Sequence, residues 1–205
     1  MLYFTSDLHL DHKNVIEFSH RPFMDVEEMN KLLIDNINYT VGSKDELYII
    51  GDFLYPASRE RVREFRRQIK CKHVHLLRGN HDKDYSQDNI FQSVQDYKEI
   101  KTEYGRFVLF HYQMQDWSGS KYGSVLLHGH IHSEGSEYNE RNRQMKYLER
   151  FPDSYHIPKD QELMLRMYDV GVDANDYKPV SLEQIAYFLG LTPVRGSQVQ
   201  NEEGL

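Results

Sequence analysis

Five short apolar runs in this 205-residue chain are each followed at once by Asp, Asn or His, and no other feature constrains the fold as strongly. Buried strands of α/β sheets are typically unbroken apolar runs, and the ligand-binding crevice of such sheets lies beyond the carboxyl ends of the strands. Neighbouring strand ends would bring these oxygen and nitrogen donors together, which predicts a metal site. The five junctions are Tyr3-Phe4 before Asp7 and His9, Tyr48-Ile49-Ile50 before Gly51-Asp52, His75-Leu76-Leu77 before Gly79-Asn80-His81-Asp82, Val108-Leu109-Phe110 before His111, and Val125-Leu126-Leu127 before Gly129-His130 and His132.

The composition predicts one soluble domain over residues 1–194, followed by a polar tail at 195–205. No apolar stretch approaches the roughly 20 residues that span a bilayer, and the start of the chain lacks the pattern of a signal peptide. We therefore expect a cytoplasmic protein without a membrane partner. The formal net charge of −7 argues against a nucleic-acid partner attracted by the overall field, whereas small anionic substrates stay open.

The cysteine content restricts the kind of metal site. Cys71 is the only cysteine in the chain, so an intramolecular disulfide and a thiolate-rich zinc or iron–sulfur site are both excluded. Any metal must be held by His, Asp, Asn or Glu.

Helices are predicted between the strands, which indicates an α/β layer architecture. One helix is predicted over 26–39, with Asp25 as its N-cap and Glu28 three residues on, and another follows Ser58. The last helix begins after the N-cap Ser181. A strand is predicted over Leu163–Val170, and the close spacing of strands in the second half of the chain favours mixed or antiparallel pairing there.

The charged segment 133–162 follows the last histidine motif directly, at a place where a lid or a substrate wall would lie. Its central part, 139–150, is predicted to be helical. A surface excursion or a dimer contact explains the segment equally well, because neither spacing nor composition decides between these alternatives.

Taken together, the five junctions resemble the motif set of the calcineurin-like metallophosphoesterase superfamily. The resemblance covers residues 1 to about 132 and resumes at about 168–185. It implies a fold of two mixed β-sheets packed as a sandwich flanked by helices, in four layers α/β/β/α. It also implies an enzyme that hydrolyses phosphate esters with two divalent metal ions.

The resemblance assigns a set of metal ligands. One metal would be held by Asp7, His9, Asp52 and His132. The other would be held by Asp52, Asn80, His111 and His130. Asp52 is then shared, as suits a carboxylate between two cations about 3.5 to 4 Å apart. Mixed imidazole and oxygen ligands suit manganese, iron, zinc or nickel better than calcium, and we expect manganese to support activity in vitro.

The resemblance also implies the catalytic roles. Water activated by the two metals would attack phosphorus, so no nucleophilic Ser or Cys is assigned. His81 would donate a proton to the leaving oxygen or bind the phosphoryl group in the transition state. Asp82 would orient the His81 ring and raise its basicity.

Substrate-binding candidates have weaker support. His12 and Asn14 follow the first ligand pair closely, but a solvent-facing histidine and a helix-start asparagine have equally good structural explanations. Arg78 precedes the second glycine motif and could bind a phosphate oxygen, although a salt bridge behind the sheet is favoured. Arg21 and Asp173 are candidates for substrate contact or for the rim of the pocket.

A phosphodiesterase acting on a small phosphorylated substrate is the favoured function. A phosphomonoesterase, a nucleotide pyrophosphohydrolase and a nuclease remain open, because the metals perform the same chemistry on each substrate. A non-catalytic metal-binding scaffold is the alternative from a different class. Such a chain should show broken ligand positions, whereas every position that the motifs require is filled here. The sequence does not indicate an oligomeric state.

Overall fold

The computed structural model describes residues 1–56, 58–154 and 162–193. Within these ranges, no helix combines the length and the apolar character that crossing a membrane requires. The strands are β1 (Leu2–Thr5), β2 (Glu46–Ile50), β3 (His73–Leu77), β4 (Ser93–Gln95), β5 (Tyr97–Thr102), β6 (Gly105–Phe110), β7 (Val125–His128), β8 (Met167–Asp169) and β9 (Val180–Ser181). The α-helices are α1 (Lys13–Phe18), α2 (Val26–Thr40), α3 (Arg59–Gln68), α4 (Glu137–Gln144), α5 (Tyr147–Arg150) and α6 (Leu182–Phe188).

The strands form two mixed sheets. The first sheet has the order β4-β3-β2-β1-β9, in which β1 to β4 are parallel and β9 is antiparallel to β1. The second sheet has the order β5-β6-β7-β8, in which β5 is antiparallel to β6 and the remaining pairs are parallel. The predicted fold class is confirmed, and so is the mixed pairing expected in the second half of the chain.

Alternation along the strands explains the layers, because successive side chains of a strand point to opposite faces of its sheet. In β2, Leu47 and Ile49 pack with buried residues of α2 and α3, whereas Ile50 packs between the two sheets with Leu109 and Leu127. The outer face of the second sheet packs against α5. The order of layers is therefore helices, first sheet, second sheet, helices.

The predicted helix caps are present. The Asp25 carboxylate accepts a hydrogen bond from the Glu28 N–H at 2.8 Å, and α2 begins at the next residue, Val26. At α6, the Ser181 hydroxyl accepts from the Gln184 N–H at 3.1 Å, while the Gln184 side chain accepts from the Ser181 N–H at 2.8 Å. Both helix starts follow the sequence because capping is a local interaction.

The strand predicted over Leu163–Val170 and the helix predicted over 139–150 both need correction. The strand covers only Met167–Asp169, and the helix is interrupted between α4 and α5. Met145 is extended there, and its carbonyl accepts from the Leu165 N–H at 2.9 Å, while the Tyr147 N–H donates to the Leu163 carbonyl at 2.7 Å. The first part of the predicted strand therefore pairs with the interruption in the helix instead of the sheet.

The described part of the segment 133–162 forms the outer layer on the second sheet. The Tyr147 side chain is fully buried against Val108, Leu126 and Trp117, and the Asn139 side chain donates to the Asp169 carbonyl at 3.0 Å. This packing makes residues 133–154 part of the fold, and the role of the segment as a lid or a substrate wall stays a prediction. Residues 155–161 and the predicted polar tail lie outside the described residues.

Candidate metal centre

The predicted donors meet at the carboxyl ends of both sheets. The loop after β1 pairs with the loop after β2, because the Asp7 N–H donates to the Gly51 carbonyl at 3.0 Å and the His9 N–H donates to the Asp52 carbonyl at 2.9 Å. Several donors have a left-handed backbone, which costs energy in non-glycine residues and is typical of functional sites. Their φ angles are 56° at Asp7, 49° at His9, 55° at Asp52, 72° at His130 and 46° at His132.

Two glycines allow the loops to approach so closely. A Cβ atom at Gly129 would lie 2.3 Å from the Asp7 carboxylate, and a Cβ atom at Gly51 would lie 2.1 Å from Nδ1 of His111. Any side chain at either position would displace a donor. Glycine is therefore required at both positions, because there is no room for a Cβ atom.

One group of donors surrounds His9. Its Nε2 atom lies 3.2 Å from Nε2 of His132 and 3.4 Å from Oδ2 of Asp52, and the His132 Nε2 lies 3.9 Å from Oδ1 of Asp7. His9, Asp7 and Asp52 are almost fully buried. These are the four residues predicted for the first metal.

A second group surrounds His111. Its Nε2 atom lies 3.5 Å from the same Asp52 oxygen and 3.2 Å from Oδ1 of Asn80. The His130 ring packs edge-on against the His111 ring, with centroids 5.1 Å apart. Asp52 therefore connects the two groups, as the shared-ligand prediction requires.

The donor set fits divalent metal ions. Donors bound at about 2.0 to 2.2 Å around one cation lie about 3 to 3.5 Å from each other, which is the spacing seen among His9, His132 and Asp52. The nitrogen and carboxylate atoms of Asp7, Asp52 and His111 also lie within 4.8 Å of one another, as do those of His9, Asp52 and His81. The geometry thus also brings His81, predicted as an acid, close to two of the residues that would hold the cations.

The protonation states suit cation binding. Burial lowers the pKa of His9 to about 2, which leaves its imidazole neutral at neutral pH. Burial alone would raise the pKa of Asp52. The pKa is nevertheless lowered to about 2, because the carboxylate accepts hydrogen bonds from His111 and from the His81 N–H and lies near the charge of His111. Burial raises the pKa of Asp7 to about 6. All three groups are therefore in their ligand forms above about pH 6.

His111 leads to a prediction about proton release. Burial alone would lower its pKa, but the Asp52 hydrogen bond and the charges of Asp7 and Asp52 raise it to about 9 in the metal-free protein. A bound cation requires neutral imidazole, so metal binding at pH 7.5 should release at least about one proton per chain. Calorimetry in buffers of different ionisation enthalpy measures this number. Buffer-independent heats would contradict the prediction.

Outer hydrogen bonds fix which ring nitrogen faces the centre. Nδ1 of His111 donates to the Ile50 carbonyl at 2.8 Å, and Nδ1 of His132 lies 2.8 Å from Oδ2 of Asp173. Both Nε2 atoms are left to bind a cation. Asp173 was expected at the pocket rim, and the structure instead places it behind a ligand.

Arg21 was predicted as a substrate-binding residue, and the structure corrects this. Its guanidinium is buried and donates to both Asp173 oxygens, at 2.7 and 2.9 Å, and to the carbonyls of Asp7 at 2.7 Å and Leu8 at 3.1 Å. It therefore connects the first ligand loop to the carboxylate that holds His132. The contact spans 152 positions of sequence, so no local signal could have indicated it.

Replacing Arg21 with Met should destabilise the metal-free protein by about 3 to 5 kcal/mol, because Asp173 would be left as a buried carboxylate without its main cation. Urea denaturation measures this change. Arg78→Met is the matched control, since Arg78 pairs with the exposed Asp96 and such pairs contribute at most about 1 kcal/mol. Equal losses in the two variants would contradict the assigned role.

Asp82 also differs from its predicted role. Its carboxylate accepts hydrogen bonds from the backbone N–H groups of Asp52 at 2.7 Å, Gly79 at 2.9 Å and Phe53 at 3.1 Å. It therefore holds the loop after β2 against the loop after β3, and these hydrogen bonds replace the predicted one to the His81 ring. Asp82 positions Asp52 through the backbone.

A cavity of about 510 Å³ opens beside the first donor group. The described residues that line it are His9, His12, Asn14, Val15, Phe18, Ser19, Tyr55, His81 and His132. His12 and Asn14 thus lie where the prediction placed them. Arg78 does not line the cavity, because it donates to both oxygens of Asp96 at 2.7 and 2.8 Å, as the favoured salt-bridge alternative expected. Phe18, Ser19 and Tyr55 were missed, since they carry no motif.

Comparison with known proteins identifies the family. The sequence model of the calcineurin-like phosphoesterases matches residues 2–180. The chain belongs to the calcineurin-like phosphoesterase family. This membership confirms the resemblance noted from the motifs and supports phosphoesterase activity. Together with the donor groups described above, it also supports binding of divalent metal ions.

Three similar proteins illustrate the degree of similarity within the family. An uncharacterized protein of Methanocaldococcus jannaschii is 29% identical over 184 residues, which cover 90% of this chain and 88% of that protein. The crystal structure of a protein of unknown function from Aquifex aeolicus superimposes with a TM-score of 0.63 at 25% identity, covering 91% of this chain and 98% of that one. The phosphoesterase Yfce from E. coli is similar with a TM-score of 0.44 at 17% identity, covering 84% and 79% of the two chains.

Proposed function

We propose that this protein is a metal-dependent phosphodiesterase acting on a small phosphorylated substrate. The observation that carries the proposal is the pair of donor groups joined by Asp52, which lies 3.4 Å from Nε2 of His9 and 3.5 Å from Nε2 of His111. The first of these groups lies beside a cavity that is open to solvent and is also lined by His81. A merely structural metal site would be closed, whereas a catalytic site keeps room for a reactant.

The cations would be held by the residues predicted from the motifs. One would be bound by Asp7, His9, Asp52 and His132, and the other by Asp52, Asn80, His111 and His130. When bound, two such ions supply Lewis acidity toward water and toward phosphoryl oxygens. We expect manganese to serve in vitro, with iron, zinc or nickel as other ions that this donor set accepts.

The chain itself contributes position and proton transfer. Ile50 and Asp173 hold the His111 and His132 rings with Nε2 inward, and Asp82 holds the backbone of Asp52 in place. The His81 ring lies on the cavity wall, where it can donate a proton to the leaving alkoxide or a hydrogen bond to a phosphoryl oxygen. Preorganised donors of this kind stabilise charge that develops in the transition state.

The cavity favours a diester over a monoester. None of the described residues that line it is a Lys or an Arg, so the wall offers no fixed cation for the second negative charge of a monoester. A volume of about 510 Å³ exceeds the needs of a phosphoryl group and leaves room for a substituent on phosphorus. A phosphomonoesterase or a nucleotide pyrophosphohydrolase would be expected to bind its phosphates with basic side chains.

A side-by-side assay tests the proposal. Bis(p-nitrophenyl) phosphate, p-nitrophenyl phosphate and a panel of cyclic nucleotides would be supplied to the Mn²⁺-loaded protein. We expect a higher kcat/KM for the diester than for the monoester. A preference for the monoester would overturn the diesterase proposal, and bound metal without hydrolysis of any ester would favour a scaffold.

A further inference from the structure

Two aromatic side chains at the mouth of the cavity are exposed to solvent. Phe18 is 71% exposed and Tyr55 is 41% exposed, although both line the cavity beside His12. Their rings lie 6.4 Å and 4.7 Å, respectively, from the His12 ring by centroid. Apolar surface that is exposed beside polar groups is typical of ligand-binding grooves when the apolar side chains lie together.

The backbone fixes both rings relative to the donors. Phe18 is the last residue of α1, a helix whose buried residue Val15 packs into the core beneath it. The Tyr55 N–H donates to the Leu10 carbonyl at 3.0 Å, which ties Tyr55 to the loop that carries His9. The positions of the rings therefore follow from the same loops that hold the metal ligands.

Tyr55 also contacts the candidate acid. Its ring packs edge-on against the His81 ring, with centroids 4.7 Å apart. A substituent lying on the Tyr55 ring would thus be attached close to the atom that receives the proton from His81. The described lining combines the hydrogen-bonding side chains of His12 and His81, which could contact phosphate oxygens, with the apolar side chains of Phe18 and Tyr55.

We propose that Phe18 and Tyr55 form an aromatic rim that binds a planar ring carried by the phosphodiester, either an aryl group or a nucleobase. This inference rests on the proposed phosphodiesterase function and specifies its substrate class. Planar rings stack on aromatic side chains without needing a particular hydrogen-bond pattern, so the rim selects for a ring and not for one base. The two residues would determine specificity without taking part in bond cleavage.

Binding of stable analogues tests the rim separately from catalysis. Phenylphosphonate and methylphosphonate carry the same charged group and differ in the ring, and neither is hydrolysed. Calorimetry on Mn²⁺-loaded protein should show tighter binding of phenylphosphonate in the wild type. Phe18→Leu and Tyr55→Leu, which keep apolar volume but remove the plane, should each reduce this preference about 3- to 10-fold. Tyr39→Leu is the matched control, because Tyr39 is 93% exposed on α2 and does not line the cavity.

Kinetics provide the second measurement. The ratio of kcat/KM between variant and wild type would be determined for bis(p-nitrophenyl) phosphate and for the ring-free diester glycerophosphoglycerol. We expect a loss of about 3- to 10-fold for each variant on the aryl ester, with the ring-free ester hardly affected. Because variant and wild type are compared on the same substrate, the difference in leaving group between the two esters cancels from the ratio.

Each possible result either supports or overturns the aromatic rim. Equal losses on both esters would show that Tyr55 acts by holding His81, and would overturn the aromatic rim. An unchanged preference for phenylphosphonate in both variants would overturn it as well. If wild-type protein hydrolyses neither ester, the proposed function fails, and the phosphonate preference alone then confirms or rejects the rim.

Discussion

Asp52→Asn will lower kcat for bis(p-nitrophenyl) phosphate by about 10³-fold or more and will leave fewer than two metal ions bound per chain. Asp52 is 1% exposed, and its Oδ2 atom lies 3.4 Å from Nε2 of His9 and 3.5 Å from Nε2 of His111. The amide retains the shape and can still accept the His81 N–H bond, which measures 3.0 Å in the wild type, but it loses the charge that lies between two cations. Metal analysis together with steady-state kinetics measures both effects.

Asp96→Asn is the control for this change. Asp96 is an exposed carboxylate paired with Arg78, so the variant should retain both metals and nearly all activity. Full metal content in Asp52→Asn, accompanied by normal turnover, would show that Asp52 is not a shared ligand.

His81→Gln will lower turnover by about 10² to 10⁴-fold while both metals stay bound. His81 lies on the cavity wall, where its ring can reach a bound substrate. The His111 ring differs, because its Nδ1 atom donates to the Ile50 carbonyl and its Nε2 atom is thereby directed toward the place of a cation. The loss should be smallest for esters with good leaving groups such as p-nitrophenol, because these depart without protonation. Comparison of bis(p-nitrophenyl) phosphate with an alkyl diester measures this dependence.

Metal content separates two roles of His81. Its ring nitrogen lies within 4.8 Å of donor atoms of His9 and Asp52, so the geometry also permits ligation. Loss of one metal ion in His81→Gln would assign it as a ligand, and unchanged kinetics would remove the acid role altogether.

The sequence predicted that these donors would lie together because the signal is local. Asp7 and Asp52 come just after β1 and β2, which are parallel strands of the first sheet and deliver such residues to the same edge, and His111 comes just after β6 of the second sheet. The caps at Asp25 and Ser181 were predictable for the same reason, since a cap and its partner lie three residues apart.

The supporting residues could not be predicted because their partners are distant along the chain. Arg21 was expected to contact substrate, yet it is buried against Asp173, 152 positions away. Asp82 was expected to hold the ring of its neighbour His81, yet it accepts from the backbone of Asp52 and Phe53. Both errors have the same cause: each charged side chain was assigned to a functional residue close to it in the sequence. A buried charge pairs with a group that is close in the folded structure, and that group can be far away along the chain.

The interruption in the predicted helix 139–150 has a similar origin. The pattern of residues there favours a helix. In the structure, however, Met145 accepts a backbone hydrogen bond from Leu165, and the Tyr147 side chain is buried against the outer face of the second sheet. Tertiary packing thus overrides local helix propensity where a segment covers a sheet.

Titration of metal-free protein with Mn²⁺ tests the central claim most directly. Bound metal and the rate of bis(p-nitrophenyl) phosphate hydrolysis would be followed together. The two-group site joined by Asp52 predicts a rate that rises with added metal and reaches its plateau at two equivalents per chain. Hydrolysis that is already complete without metal, or a protein that binds two equivalents and hydrolyses no phosphate ester, would contradict the proposal.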